Sequence, residues 1–278
     1  MILGSFFKPV KSITTDEVHR IVKDKNTEDY CLLDVRQPGE YAEKHIPGAK
    51  LIPLGELQGH LTEVDAKKPT IVYCRSGNRS RSAVGMLNGA GIEDVYNMEG
   101  GMLAYNGLVA AGPPEAGVFC FPENMQPEEL VAMAWYIEDG SQRFIETIKE
   151  MVQDQEARAL FTHLSEYKSA HKDSLVNLYK KIAVSGAAGD FPAAVLPQPP
   201  AEVMAGCVSV PEAVNWTRGK QGSDILELMM SLEANTLDLY LKLGRQVQAK
   251  QARSVFIELS EQEKQHLGEV SAAFEKFL

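Results

Sequence analysis

The chain has 278 residues, of which 44% are hydrophobic and 24% charged, and its formal net charge is −10. A length above the usual ~100 to 200 residues of one domain predicts two domains, each able to bury its own core. Nonspecific nucleic-acid binding depends on clustered Lys and Arg, so an acidic chain argues against DNA or RNA as partners. The sequence has no apolar run of ~20 residues and no secretory signal after Met1, so we expect a cytoplasmic protein with no membrane contact.

Between Thr14 and about Leu108, short β-rich runs alternate with helical stretches. The runs are YCLLDV, TIVYC and DVYNM, and the helical stretches are TTDEVHRIVKD and SRSAVGMLNGAG. Such alternation is typical of a mostly parallel sheet with crossover helices, so we predict an α/β domain over residues 1–112. Thr14 and Glu17 are spaced as a capping box for the first helix.

Pro and Gly accumulate next, and they predict a linker over residues 113–126. The remainder, 127–278, has apolar residues at three-to-four spacing, which predicts four helices. Their expected bounds are 127–155, 157–183, 223–247 and 250–276. Between the second and third lies a long segment, 184–222, rich in Pro, Ala and Gly. One long crossover between two helix pairs is typical of a ferritin-like four-helix bundle, and we predict that fold.

The four cysteines are widely spaced. Cys31, Cys74, Cys120 and Cys207 include no CxxC pair, so the pattern indicates neither a zinc or rubredoxin-like site nor a disulfide framework. We therefore expect four reduced thiols.

Cys74 differs from the other three in its local sequence. The strand TIVYC runs directly into RSGNRS and then a helix, which places Cys74 at the carboxyl end of a strand, where α/β sheets hold ligands. Gly77 permits a tight backbone path, and the following helix presents its positive N-terminal end. These groups would lower the thiol pKa, and Arg75 and Arg79 add two cations at the same rim.

Three blocks of the sequence resemble the signature motifs of rhodanese domains over residues 12–108. The blocks are LLDVRQPGEYAEKHIPGAKLIPL, IVYCRSGNRS and NMEGGMLAYNG. The resemblance implies a sulfurtransferase in which Cys74 takes a sulfane sulfur from thiosulfate or a persulfide, holds it as a persulfide, and gives it to a thiol or cyanide. It also implies that a cradle binds the substrate. The cradle comprises Arg75, Ser76, Gly77, Asn78 and Arg79.

By the same resemblance, Asp34, Arg36 and His45 match motifs that flank the cysteine loop, and we interpret them as structural support for it. Two alternatives stay open. One is a Cys-dependent phosphatase or arsenate reductase, although CRSGNR has four residues between Cys and Arg where phosphatases use five. The other is a non-catalytic persulfide-sensing module on a structural bundle.

The helical half contains an internal repeat. EARALFTHLSEYKSAH at 156–171 aligns with QARSVFIELSEQEKQH at 251–266, and the same offset aligns Glu138 with Glu233. A di-iron site in a bundle uses one Glu from each of two helices and Glu-x-x-His from each of the other two. This pattern predicts five metal ligands. They are Glu138, His171, Glu233, Glu263 and His266.

Residues 127–276 resemble the rubrerythrin and ferritin-like family, which implies one or two irons per chain and redox chemistry. Lys168 departs from that pattern, since it aligns with Glu263 and a protonated amine cannot ligate a metal. Two interpretations remain open. A metal binds to the remaining ligands, with Tyr167 as the nearest surrogate, or Lys168 pairs with the glutamates and replaces the metal. We also expect an external electron donor, because no CxxC pair is present, and a homodimer.

Overall fold

A computed structural model of the protein describes most of the chain, namely residues 10–122, 125–183, 190–197, 202–247 and 250–277. The chain divides into two compact units between Glu115 and Ala116, inside the predicted linker. The crossover predicted at 184–222 falls partly outside the described residues, which omit 184–189 and 198–201.

The first unit is built on a five-stranded sheet. Every neighbouring pair in it is parallel, and the spatial order is β1-β5-β4-β2-β3. The strands are β1 Ser12–Ile13, β2 Cys31–Asp34, β3 Lys50–Leu51, β4 Thr70–Tyr73 and β5 Val95–Met98. Strand β4 is central and buried along its whole length, as expected of an apolar, β-branched run in a parallel sheet. The predicted parallel α/β fold is confirmed.

Four helices accompany the sheet. They are α1 Thr15–Asp24, α2 Pro38–Glu43, α3 Asn78–Gly89 and α4 Gly101–Ala104. The predicted capping box is present, since Glu17 N donates to Thr14 Oγ1 at 3.3 Å and Thr14 N to Glu17 Oε2 at 2.9 Å. Alternate residues of β4 enter two separate apolar clusters: Ile71 and Tyr73 lie in one, Val72 and the adjoining Cys74 in the other. The strand period of two therefore places Cys74 in the cluster that α3 also lines.

The second unit is mainly helical. Its helices are α5 Pro127–Met151, α6 Gln155–Ile182, α7 Val210–Trp216, α8 Gly222–Gln246 and α9 Lys250–Phe277. A short antiparallel pair, β6 Val203–Met204 and β7 Val208–Ser209, precedes α7. The four predicted helices are thus present, although α5 ends earlier than expected. Asp154 begins a new helix by accepting a hydrogen bond from Ala157 N at 2.7 Å, as a side-chain N-cap does.

The long helices pack as two hairpins, α5 on α6 and α8 on α9, and α9 also contacts α5 and α6. One buried cluster takes residues from all four, among them Ile137, Leu175, Tyr240 and Phe256. Within the described residues, no helix is both long and apolar enough to cross a membrane.

One expectation about the cysteines was wrong. Cys120 and Cys207 form a disulfide with Cα atoms 6.3 Å apart, while Cys31 and Cys74 are free thiols. The two partners are 87 residues apart in sequence. Because only the tertiary fold brings them together, their spacing carries no signal of the pair.

Candidate functional site

Cys74 lies directly after the central strand β4, at its carboxyl end, and the chain turns from it into α3. Gly77 is the N-cap of α3 and has φ of 94°. A Cβ at this glycine would lie 3.3 Å from both Gly100 N and Met98 O. The loop therefore needs glycine at this position for its backbone conformation, and it has little free space there.

Hydrogen-bond donors converge on the Cys74 sulfur. Gly77 N donates to Sγ at 3.2 Å, and Ser80 Oγ lies 3.4 Å from Sγ and 2.6 Å from Asn97 Oδ1. Burial alone raises the pKa of the Cys74 thiol, but hydrogen bonds from the Ser80 hydroxyl and from the Ser80, Ser76 and Gly77 amides outweigh it and hold the pKa below its ordinary value. The loop thus favours a thiolate, the nucleophilic form of cysteine.

The two arginines of the loop have different surroundings. Arg79 makes a two-pronged ion pair with Glu40 of α2, with both N···O distances at 2.7 Å. The hydrogen bond from Arg79 holds the pKa of Glu40 at about 2. Arg75 is exposed. Of the two cations, Arg75 is therefore directly accessible to an anionic donor, while Arg79 already has a carboxylate partner.

Ser76 and Asn78 complete the predicted cradle, and both are exposed. The structure brings all five residues of the predicted cradle together in one tight turn after Cys74. Among the groups described around that turn, backbone amides and the Ser80 hydroxyl are the ones aimed at the sulfur.

The three flanking residues lie in the buried part of the first unit. Arg36 Nη2 donates to Asp34 Oδ2 at 2.6 Å and to Lys44 O at 2.7 Å. His45 Nδ1 lies 2.9 Å from Tyr41 O, and its ring stacks on that tyrosine with centroids 3.6 Å apart. These contacts fix the segment that follows α2.

The sequence interpretation missed the residues that hold the cysteine loop from behind. Met102 N donates to Cys74 O at 2.9 Å, and Leu103 N donates to Arg75 O at 3.0 Å. Gly101 has φ of 56°, and a Cβ there would lie 2.3 Å from Cys74 O. The first turn of α4 therefore packs against the backbone of the loop. Two consecutive glycines in NMEGGM were the available signal, because such a close backbone approach needs a residue without a side chain.

A second cluster of ionisable residues lies inside the second unit. All five predicted metal ligands meet there, together with Lys168, and every member is at most 5% exposed. The members come from the four long helices. Glu138 lies on α5, Lys168 and His171 on α6, Glu233 on α8, and Glu263 and His266 on α9.

The ammonium of Lys168 occupies the middle of this cluster. Its Nζ lies 2.9 Å from Glu138 Oε2 and 2.8 Å from Glu233 Oε2. Burial alone would lower the pKa of Lys168, but the negative charges of Glu138, Glu233 and Glu263 hold it above its ordinary value. The side chain is therefore a permanent cation.

The histidines sit on either side of Glu263. His171 Nδ1 lies 3.4 Å from Glu138 Oε1 and 3.5 Å from Glu263 Oε1. His266 Nδ1 lies farther from its carboxylates, at 3.9 Å from Glu233 Oε2 and 3.8 Å from Glu263 Oε2. Both groups of three have a geometry that could hold a metal ion. Tyr167, the suggested surrogate ligand, stacks its ring on His266 with centroids 4.0 Å apart.

Comparisons with known proteins concern the first unit. Residues 14–108 match the family model described as "Rhodanese-like domain". A "Sulfurtransferase" of Allochromatium vinosum is 33% identical over 106 residues, which are 37% of this chain and 97% of that protein. "Thiosulfate sulfurtransferase GlpE" of Pseudoalteromonas translucida is 35% identical over 78 residues, which are 28% of this chain and 74% of that protein.

Among solved structures, a rhodanese-like domain protein from Staphylococcus aureus is 36% identical and has a TM-score of 0.33. That match covers 35% of this chain and 93% of the other. The chain spans only 64%, 35% and 41% of the length of three further curated relatives.

Proposed function

Because the chain belongs to the rhodanese-like family through residues 14–108, we propose that its first unit moves a sulfane sulfur from thiosulfate or a persulfide donor to a thiol acceptor through a persulfide on Cys74. The arrangement around the sulfur carries this proposal. A thiol whose pKa is lowered by amide and hydroxyl donors lies at the carboxyl end of the central strand.

The first half of the reaction forms a sulfur–sulfur bond. The Cys74 thiolate attacks the outer sulfur of thiosulfate, the bond within thiosulfate breaks, and sulfite leaves with the electron pair. The terminal sulfur of the resulting persulfide carries a negative charge. The inward-facing amides of the loop and the N-terminal end of α3 are suited to stabilise that charge.

In the second half, a thiolate or cyanide attacks the terminal sulfur. The sulfur–sulfur bond to Cys74 breaks, and the Cys74 thiolate departs with the electron pair and is ready for another cycle. Donor and acceptor therefore react in turn with the same atom, which gives ping-pong kinetics. Arg75, exposed beside the sulfur, is placed to attract an anionic donor.

Replacing the nucleophile tests the proposal. Cys74→Ser should abolish thiosulfate-to-cyanide transfer and the mass increase of one sulfur atom after incubation with thiosulfate. Cys31→Ser is the matched control, because Cys31 is the other free thiol of the described residues, and it should keep both. Transfer that persists in Cys74→Ser would refute the assignment. Cys74-dependent hydrolysis of p-nitrophenyl phosphate without sulfur transfer would instead favour a phosphatase.

For the second unit we propose a ferritin-like bundle, on the support of its two helical hairpins and the glutamates that face inward from three helices. Its residues do not fit a two-iron centre. Lys168 holds one oxygen of Glu138 and one of Glu233, and a buried ammonium repels a second metal ion. We therefore assign no redox step to this unit. The external electron donor and the homodimer stay predictions, and light scattering of the full chain tests the second.

A further inference from the structure

The buried cluster of the second unit has an unequal number of opposite charges. It contains three glutamates, Glu138, Glu233 and Glu263, and one lysine, Lys168, and all four are at most 3% exposed. With the carboxylates ionised and the histidines neutral, two negative charges remain uncompensated. Uncompensated charge inside a protein costs several kcal/mol per ion even after relaxation. The cluster therefore calls for two more positive charges.

One divalent cation supplies them. Two divalent cations would leave an excess of two positive charges, because Lys168 is already present. The charge count alone thus favours a stoichiometry of one.

The geometry indicates which residues would bind that ion. Glu138 Oε1, His171 Nδ1 and Glu263 Oε1 surround one point, with His171 Nδ1 3.4 and 3.5 Å from the two oxygens. Ligand atoms about 2.0 to 2.2 Å from a metal such as Zn²⁺ are separated from one another by similar distances. Within the part of the chain that the structure describes, none of these three atoms has a hydrogen-bond partner. Buried polar atoms without such a partner are rare in folded proteins.

The other side of the cluster differs. Glu233 Oε2 already accepts a hydrogen bond from Lys168 Nζ at 2.8 Å, and His266 Nδ1 lies 3.8 to 3.9 Å from its two carboxylates. The ammonium therefore takes the carboxylate that a second ion would need. Lys168 also pairs with Oε2 of Glu138, which leaves Oε1 of the same carboxylate turned toward His171.

We propose that this cluster binds one divalent metal ion through Glu138, His171 and Glu263, and that Lys168 serves as the fixed cation in place of a second ion. The donor set of two carboxylates and one imidazole suits Zn²⁺, Mn²⁺, Fe²⁺ or Co²⁺. Lys168 acts as a positioning residue, because it orients the Glu138 carboxylate without touching the metal. The proposal does not depend on sulfur transfer at Cys74.

The test is the number of Co²⁺ ions bound per chain. The full-length Cys74→Ser variant is used, so that the reactive thiolate cannot bind cobalt, and bound metal is measured after equilibrium dialysis and by its visible spectrum. We expect one ion per chain with nitrogen and oxygen ligands. His171→Ala should weaken binding at least about tenfold, while His163→Ala, which removes an exposed histidine of the same helix, should leave it unchanged.

Lys168→Glu provides the second arm. It converts the ammonium to a fourth carboxylate, so the variant should bind two ions per chain. No bound cobalt, two ions in protein that retains Lys168, or equal binding by His171→Ala would overturn the proposal, as would a folded Lys168→Glu variant with only one ion. If that variant does not fold, the comparison of His171→Ala with His163→Ala still decides, supported by a metal-dependent rise in unfolding temperature that only the latter should show.

Discussion

The close approach of α4 to the cysteine loop makes Gly101→Ala a sharp test of how the nucleophile is positioned. A Cβ at residue 101 would lie 2.3 Å from Cys74 O and 2.6 Å from the carbonyl carbon of Arg75. Both are backbone atoms, so no side chain can rotate away. The loop itself must move, and with it the hydrogen bond from Met102 N to Cys74 O.

The expected cost has two parts. A left-handed conformation costs an alanine about 1 to 2 kcal/mol, and residue 101 has φ of 56°. Forcing a methyl group into packed surroundings adds about 1 to 3 kcal/mol. The variant should therefore destabilise the first unit by about 2 to 5 kcal/mol, and a displaced nucleophile should reduce sulfur transfer by about 10²-fold.

Gly91→Ala is the matched control, since Gly91 has φ of 88° but a Cβ at that residue would meet no described atom within 4 Å. It carries the conformational cost without the clash. Hydrogen exchange of peptides from the first unit measures the free energy of opening for both variants, and the thiosulfate-to-cyanide assay measures transfer. If Gly101→Ala loses no more stability than Gly91→Ala and keeps full transfer, α4 does not position the loop.

Three further substitutions test individual contacts of the first unit. Ser80→Ala removes a donor to the Cys74 sulfur and should raise the thiol pKa, seen as a shift of thiolate ultraviolet absorbance to higher pH. Asp34→Ala leaves the buried guanidinium that it pairs with uncompensated, and should cost about 3 to 5 kcal/mol of stability in urea unfolding. Glu40→Gln frees Arg79 and should lower the KM for thiosulfate. Because Arg79 holds the pKa of Glu40 at about 2, below its ordinary 4.5, the stabilisation from this pair is present above pH 4.5 and is lost as the pH falls to 2.

Each of these has a control on the same part of the fold. Ser82→Ala changes an exposed serine of α3, and Asp94→Ala breaks an exposed ion pair whose side chains are 54% and 50% accessible. Glu43→Gln removes an exposed carboxylate of α2. An effect of equal size in a control and its partner would mean that the named contact is not the cause.

The elements that the sequence predicts well are those whose pattern is local. Strand β4 is a continuous apolar run and α3 follows a glycine turn, so both were predictable together with the position of Cys74 between them. Strands β1 and β3 were not predicted, because two residues carry no periodicity. Each forms only by pairing with a strand distant in sequence, β1 with β5 and β3 with β2.

Long-range contacts were the main omission. Nothing near Arg79 in the sequence indicates that Glu40, 39 residues earlier, would pair with it. The close approach of Gly101 likewise depends on how α4 returns to the sheet. The cluster of the second unit was predictable in spite of its distances, because the internal repeat places Glu138 and Glu233 at matching positions. The same alignment identified Lys168 as the departure.

The two buried sites have opposite electrostatic requirements. Around Cys74 the fold supplies hydrogen-bond donors, namely the Gly77 amide and the Ser80 hydroxyl, so that the site stabilises a negative charge on sulfur. Inside the helical unit the fold supplies acceptors from Glu138 and Glu263 that outnumber the one ammonium among them. A site rich in donors is suited to an anionic intermediate, and a site rich in acceptors is suited to a cation. Chemistry at the first therefore follows from the charge that the loop accepts, and occupancy of the second follows from the charge that Lys168 leaves unmet.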